Sequence, residues 1–120
     1  MIKRFAFVAY SVADVPQSVA FYRDVMGLEL DAAAYEKSGG YWAEFAVGDG
    51  TFGVGNGTPL GFLPGSGNGA VFEVDDLQAE RTRLLEAGVR VSDVHDGPAC
   101  MSAFVTDPEG NTFGIHQLKS

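Results

Sequence analysis

The sequence predicts an α+β fold in which two βαβββ modules form a curved, cup-like mixed sheet with helices on its outer face. An internal repeat is the main observation behind this prediction, because three features recur at separations of 62, 61 and 61 residues (74 − 12, 88 − 27 and 112 − 51). They are a helix opening at residues 12–15 and 74–77, a helix-ending glycine at Gly27 and Gly88, and a Thr-Phe-Gly segment at 51–54 and 112–115. Such self-similarity indicates a duplicated structural unit.

The first module begins with strand-like alternation over residues 5–11, which is followed by a helix. Asp14 is a suitable helix cap, and Pro16 fits the first helical turn. Apolar side chains then recur on one helical face, and Gly27 ends the helix. Three further strands are predicted from Leu28 onward, over residues 41–47 and over residues 51–55.

The second module repeats this order, with a helix that is capped by Asp75 or Asp76 and ended by Gly88. Its strands are predicted at residues 69–74, 89–94, 100–106 and 111–117. Between the modules, residues 56–68 are rich in glycine and proline and form a linker, whose Leu60, Phe62 and Leu63 indicate packing as a lid. We therefore expect one domain over residues 1–120, with module 1 at 1–55 and module 2 at 69–120.

The composition is that of an ordinary globular protein of 120 residues, with a formal net charge of −8 and a pI near 4.5. An acidic surface repels phosphate, so nucleic acid and anionic membranes are not expected partners. The single cysteine, Cys100, excludes an internal disulfide and suits a cytoplasmic location. Residues 1–14 alternate like a strand, so we interpret them as structure rather than as a targeting segment.

Three segments of the chain resemble the glyoxalase/bleomycin-resistance/extradiol dioxygenase (vicinal oxygen chelate) superfamily. Residues 12–28 resemble its first-helix signature, residues 72–77 the start of its second module, and residues 107–111 (Asp-Pro-Glu-Gly-Asn) its last hairpin. The resemblance implies paired βαβββ modules and a homodimer. It does not fix a reaction, because this fold hosts lyases, dioxygenases, epimerases, transferases and drug-binding proteins.

The resemblance also implies a divalent metal held by residues on the first and last strands of each module. The corresponding positions in this chain are Phe7, Gly53, Gly69 and Gly114, and none has a side chain that can bind a metal. We therefore expect no metal at this site and no cofactor. The glycines have two interpretations, which are close approach of neighbouring strands and an enlarged cup.

Alternation along the strands predicts which side chains face the cup. They are Phe7, Trp42, Glu44, Glu73, Cys100, Phe104 and His116. An apolar, aromatic cavity with a few polar groups is typical of a small-molecule site. Most of these residues also have a structural interpretation. Phe7 and Trp42 could fill the cup or a dimer interface, and Glu73 and His116 could lie on the solvated surface. Cys100 could be an inert buried thiol.

The function predicted on these grounds is binding or sequestering of a small aromatic or cationic molecule in the cup. The alternative is an enzyme of the lyase or dioxygenase type, with a non-standard metal site or with metal-free acid–base catalysis by a glutamate–histidine pair. A third possibility is a protein whose outer surface binds a partner, for which the sequence offers no positive feature.

Overall fold

The strands and helices of the computed structural model, which describes residues 1–119, confirm the predicted α+β class. The strands are β1 (Val8–Ser11), β2 (Glu29–Leu30), β3 (Trp42–Val47), β4 (Gly50–Gly55), β5 (Val71–Glu73), β6 (Arg90–Val91), β7 (His95–Asp96), β8 (Cys100–Thr106) and β9 (Thr112–Leu118). The helices are α1 (Val15–Ala20), which continues as a π-helical turn (Phe21–Val25), α2 (Ala32–Lys37), α3 (Leu77–Glu86) and a 3₁₀ turn (Thr58–Leu60).

The strands form two sheets with matching topology. The N-terminal sheet has the order β1-β4-β3-β2, and the C-terminal sheet has the order β5-β9-β8-β6, with β7 also paired to β8. In each sheet the first strand runs parallel to the last, and the other pairs are antiparallel. Ala9 pairs with Gly53 in β1–β4, and Val71 pairs with Gly114 in β5–β9, so the sequence repeat is also a repeat of strand register.

Capping residues explain where the two principal helices begin and end. The Asp14 carboxylate accepts a hydrogen bond from the Gln17 amide before α1, and the Asp76 carboxylate accepts one from the Ala79 amide before α3. Gly27 and Gly88 follow the helical segments with φ of 77° and 81°, a conformation that favours glycine. The choice between Asp75 and Asp76 is thus settled in favour of Asp76.

Both sheets pack their helix-facing sides into one core. Tyr22 contacts Phe52 of the N-terminal sheet and Phe113 of the C-terminal sheet, with ring centroids 5.0 and 5.7 Å apart. Phe72 lies between the same two phenylalanines at 5.4 Å from each. Since the helix-facing sides meet in this core, the opposite side of each sheet looks away from it. We call these opposite sides the N-terminal and C-terminal cup faces.

A buried polar cluster joins the two halves beside this core. The Tyr22 hydroxyl donates a hydrogen bond to the Asp107 carboxylate (2.7 Å), and the Asn111 side-chain amide donates one to the same carboxylate (3.1 Å). Glu109 accepts hydrogen bonds from the amides of Ala13 and Asp14 at the start of α1. Burial, followed by the charge of Asp107, raises the pKa of Tyr22 above its ordinary value.

The structure differs from the predicted elements at three places. β1 begins at Val8, opposite Phe52 of β4, so residues 5–7 of the predicted strand lie before the ladder. α2 was not predicted; Asp31 caps it through the Ala34 amide (3.0 Å). The strand expected at residues 89–94 is reduced to β6, and a second short strand, β7, follows after it. No helix in residues 1–119 has the length and apolar character needed to cross a bilayer.

Candidate functional site

The N-terminal cup face is built around a tryptophan that lies against two glycines. Trp42 is on β3, directly opposite Gly55 of β4, and Gly53 lies two residues before Gly55 on the same strand, opposite Glu44. A methyl group added at Gly53 would lie 2.6 Å from Cζ2 of the Trp42 ring, and one at Gly55 would lie 2.8 Å from Cε3. Any larger residue at either position would therefore displace the indole. In this half of the molecule, the missing side chains make room for Trp42.

Two neighbours fix the orientation of the indole. Its Nε1–H donates a hydrogen bond to the Glu44 carboxylate (3.1 Å), and the Phe7 ring meets it edge-on with centroids 5.3 Å apart. Such edge-to-face pairs are favourable because the positive edge of one ring meets the negative face of the other. Trp42 is half-buried and Phe7 is 50% exposed, so this cluster is open to solvent on one side.

A cavity of about 760 Å³ lies between this cup face and the linker. Its lining includes Phe7 and Trp42 from the predicted site and Leu60 and Phe62 from the predicted lid, together with residues predicted for neither, such as Tyr41 and Asn68. No lining residue among residues 1–119 has a charged side chain. The sequence signal for Leu60 and Phe62 was their apolar character in a linker that is otherwise rich in glycine and proline.

Ser11, at the end of β1, fastens the linker over this cavity. Its hydroxyl donates to the Phe62 carbonyl (2.9 Å) and accepts from the Gly57 amide (3.0 Å). Its own carbonyl accepts from the Gly65 amide (3.2 Å). The linker therefore forms one wall of the cavity and is held there by three hydrogen bonds to Ser11.

The C-terminal cup face has different chemistry. His116 on β9 contacts the Glu73 carboxylate on β5, with Nδ1 and Oε1 2.5 Å apart. The Leu118 amide donates to the other oxygen of the same carboxylate (2.9 Å). The bond from His116, and then the bond from Leu118, hold the pKa of Glu73 below its ordinary value. This pair can accept and release a proton, or bind a cationic group.

Phe104 and Cys100 lie on β8 of the same sheet. Phe104 is opposite Gly114, and its ring meets that of His95 at 5.8 Å between centroids. A methyl group at Gly114 would be 3.2 Å from Cγ2 of Val71 and 3.5 Å from the Phe104 ring, so this glycine is less tightly covered than Gly53. Cys100 is partly exposed and lies opposite Leu118.

The seven predicted site residues thus fall into two groups on different sheets. Phe7, Trp42 and Glu44 contact one another on the N-terminal cup face, and Glu73 contacts His116 on the C-terminal one, which also carries Cys100 and Phe104. Within residues 1–119, no side-chain hydrogen bond or ring contact joins a member of one group to a member of the other. Their roles in ligand binding remain predictions.

The usual metal position of the resembled superfamily does not fit a metal in this chain. Phe7, Gly53, Gly69 and Gly114 have no donor side chain, and the Trp42 ring covers Gly53. Over the part of the chain that is described, no three His, Cys, Asp or Glu side chains are grouped so that they could hold a metal ion.

Comparison with known proteins identifies the family. The family model described as Glyoxalase/Bleomycin resistance protein/Dioxygenase superfamily matches residues 4–115. The chain belongs to this superfamily. A curated relative, the ethylmalonyl-CoA/methylmalonyl-CoA epimerase of Cereibacter sphaeroides, is 36% identical over 101 residues, which are 76% of this chain and 75% of the epimerase.

Two solved structures from Streptomyces sp. CB03234 are similar over nearly the full length. One is TnmS3, an antibiotic binding protein, with a TM-score of 0.83 and 28% identity, covering 98% of both chains. The other is a glyoxalase/bleomycin resistance protein with a TM-score of 0.78 and 27% identity, covering 95% of this chain and 100% of that one.

Proposed function

We propose that this protein binds and sequesters a small organic molecule in its cup. The observation that carries this proposal is the N-terminal cup face, where an aromatic cluster borders a cavity of about 760 Å³. Phe7, one of the four positions at which the resemblance implies a metal ligand, lies in the cavity lining. Small-molecule sites are mostly apolar cavities of about 300–1,000 Å³ with a few polar groups. The similarity to an antibiotic binding protein supports the same function.

The cup that we propose is completed by a second copy of the chain. The two cup faces look away from their shared core, and each exposes large apolar side chains; they are Phe7, Val71, Phe104 and Leu118, 43–65% exposed. β1 and β5 also end their sheets without a further strand. Exposed apolar patches and open sheet edges are typical of interfaces. In the homodimer, the N-terminal face of one chain would oppose the C-terminal face of the other.

A thermal-shift screen of aromatic and cationic natural products tests the binding function. A ligand present at 100 times its Kd stabilises the folded state by about 2.7 kcal/mol, which raises Tm measurably. We expect stabilisation that is unchanged by EDTA and lost in Trp42→Ala. Leu85→Ala, which alters an exposed apolar side chain on α3, is the matched control.

Two results would contradict this function. One is a screen in which no compound stabilises the protein. The other is stabilisation by a compound that persists in Trp42→Ala and also in Phe104→Ala and His116→Ala. Sedimentation equilibrium tests the dimer separately. We expect a two-chain species that dissociates on dilution, and a monomer that persists at every accessible concentration would exclude the shared cup.

The Glu73–His116 pair favours a second candidate function, which is metal-free acid–base catalysis. A carboxylate that contacts an imidazole at 2.5 Å has the residue types and geometry of a general acid–base pair, and an epimerase is among the relatives. Methylmalonyl-CoA in deuterium oxide tests it. Deuterium incorporation at the α-carbon that is lost in His116→Leu and retained in His95→Leu would support this function. No incorporation, or activity that depends on stoichiometric bound metal, would exclude it.

A further inference from the structure

The Trp42 indole is held as a flat surface before any ligand arrives. The backbone of Gly53 and Gly55 lies close under the ring, where added methyl groups would come within 2.6 and 2.8 Å of its atoms. Phe7 meets it edge-on, and Glu44 holds its N–H. A ring fixed in this way loses little conformational entropy when another ring stacks on it.

The lining of the cavity beside this ring has no charged side chain to pair with a charged ligand group, because the Glu44 carboxylate contacts the indole N–H but is not part of the lining. The lining residues are all uncharged, and those with polar side chains are Tyr10, Ser11, Tyr41, Asn56, Ser66 and Asn68. Burying an ionised group without a counter-ion carries a large desolvation penalty. Hydroxyl and amide side chains can instead hydrogen-bond to the carbonyl or hydroxyl groups of a neutral molecule.

We infer that Trp42, seated on Gly53 and Gly55, is a stacking platform for an uncharged, planar, polycyclic ring system bound between the indole and the tied linker. This inference rests on the proposed binding function and narrows its ligand class. It also assigns a role to Gly53, one of the four positions at which the resemblance implies a metal ligand. There Gly53 determines specificity, because its lack of a side chain lets the indole lie flat.

Three probes with one tricyclic frame and different charge test the ligand class: 9-acridone (neutral), 9-aminoacridine (cationic at pH 7) and acridine-9-carboxylate (anionic). Titration calorimetry gives each Kd. We expect 9-acridone to bind at least about tenfold more tightly than either charged probe, which corresponds to about 1.4 kcal/mol. Equal affinities, or tightest binding of the cation, would overturn the uncharged class.

The location can be read from a single NMR signal, since Trp42 is the only tryptophan in the chain. A ring stacked on the indole shifts its N–H resonance upfield, and we expect this shift with 9-acridone. Binding that leaves this resonance in place and perturbs Glu73 and His116 overturns the platform while the proposed function stands. If the chemical shift of this resonance changes with protein concentration but not with 9-acridone, a second copy of the chain covers the ring. This result also overturns the inference.

Gly53→Ala tests the seat of the platform, with Gly50→Ala on the same strand as its matched control. A methyl group at Gly50 would be 3.4 Å from the Val47 carbonyl and far from the indole contact. We expect at least a tenfold loss of 9-acridone affinity in Gly53→Ala and none in Gly50→Ala. If Gly53→Ala does not fold, Trp42→Leu provides the same test.

Failure of this inference can be told apart from failure of the proposed function. If other compounds bind in the thermal-shift screen but 9-acridone does not, only the ligand class and platform are wrong. If nothing binds in either experiment, both are wrong. Unchanged 9-acridone affinity in Gly53→Ala and Trp42→Leu likewise overturns the platform alone.

Discussion

The two cup faces occupy equivalent positions of one structural repeat, yet they present different chemistry. On the N-terminal face, Gly53 lies under an indole beside an uncharged cavity. On the C-terminal face, the equivalent Gly114 lies beside Val71 and Phe104, next to the Glu73–His116 pair. The backbone register is repeated in the two halves, but the side chains that face the cup are not.

The helix-facing sides of the same strands show the opposite behaviour. Phe52 and Val54 of β4 correspond to Phe113 and Ile115 of β9, and all four are buried in the shared core. Packing density restricts such positions to apolar side chains of suitable volume. The cup faces are free of this restriction. Their divergence is the reason for placing function on them rather than on the core.

The largest expected effect comes from breaking the polar cluster that joins the two halves. Asp107 is 4% exposed and accepts hydrogen bonds from Tyr22, Asn111 and two backbone amides. Asp107→Ala leaves these donors without a partner, so we expect the free energy of unfolding to fall by about 3 kcal/mol or more. Urea denaturation measures this change.

Asp93→Ala is the control for that experiment. Asp93 is exposed and forms only a surface ion pair with Arg81 at 3.6 Å, whose loss should cost about 0.5 kcal/mol or less. In the wild-type protein, Trp42 fluorescence and the His116 NMR signal should change at one urea concentration, because both faces depend on one core. Two separate transitions would show that the halves unfold independently.

A second prediction compares the two equivalent glycines directly. Gly53→Ala forces the Trp42 ring to move, and overpacking of this kind costs about 1–3 kcal/mol. Gly114→Ala needs only a few tenths of an ångström of adjustment by Val71, so we expect a loss of less than about 1 kcal/mol. Urea denaturation of both variants is the measurement. Equal losses would mean that the indole is not tightly seated on Gly53.

Local patterns in the sequence were enough to predict much of the fold. The repeat offset gave the paired modules, and β8 was placed at its observed bounds, 100–106, because its alternation is uninterrupted. α2 was missed because Asp31 caps a helix of only six residues with no apolar stripe. The stability of a helix of one or two turns comes mainly from tertiary contacts, and a periodic sequence pattern does not show these contacts.

The site was only partly predictable for a related reason. Alternation assigned Trp42 and Glu44 to the cup face but could not give the direction in which a long side chain leans. The indole contacts Gly53, which is two residue pairs along the ladder from its direct partner Gly55, and this contact is a result of three-dimensional packing. The position of the linker residues that line the cavity depends on the hydrogen bonds of Ser11 to Phe62 and Gly57. These bonds join parts of the chain that are distant in sequence.

The smallest expected effect concerns the titration of Glu73 on the C-terminal cup face. Its pKa is held below the ordinary value, first by the hydrogen bond from His116 and then by that from Leu118. The carboxylate form is therefore favoured in the folded state. This contribution to stability is present above the ordinary glutamate pKa of about 4.3 and is lost as the pH falls through the folded-state pKa.

His116→Leu should raise the Glu73 titration midpoint toward the ordinary value, leaving only the influence of the Leu118 amide. His95→Leu is the matched control, because the only other histidine contacts Phe104 and not Glu73. Side-chain carboxyl ¹³C NMR follows the titration in both variants. An unchanged midpoint in His116→Leu would show that the two side chains are not paired in solution. The C-terminal face would then lose the glutamate–histidine contact that distinguishes it from the aromatic face of the other sheet.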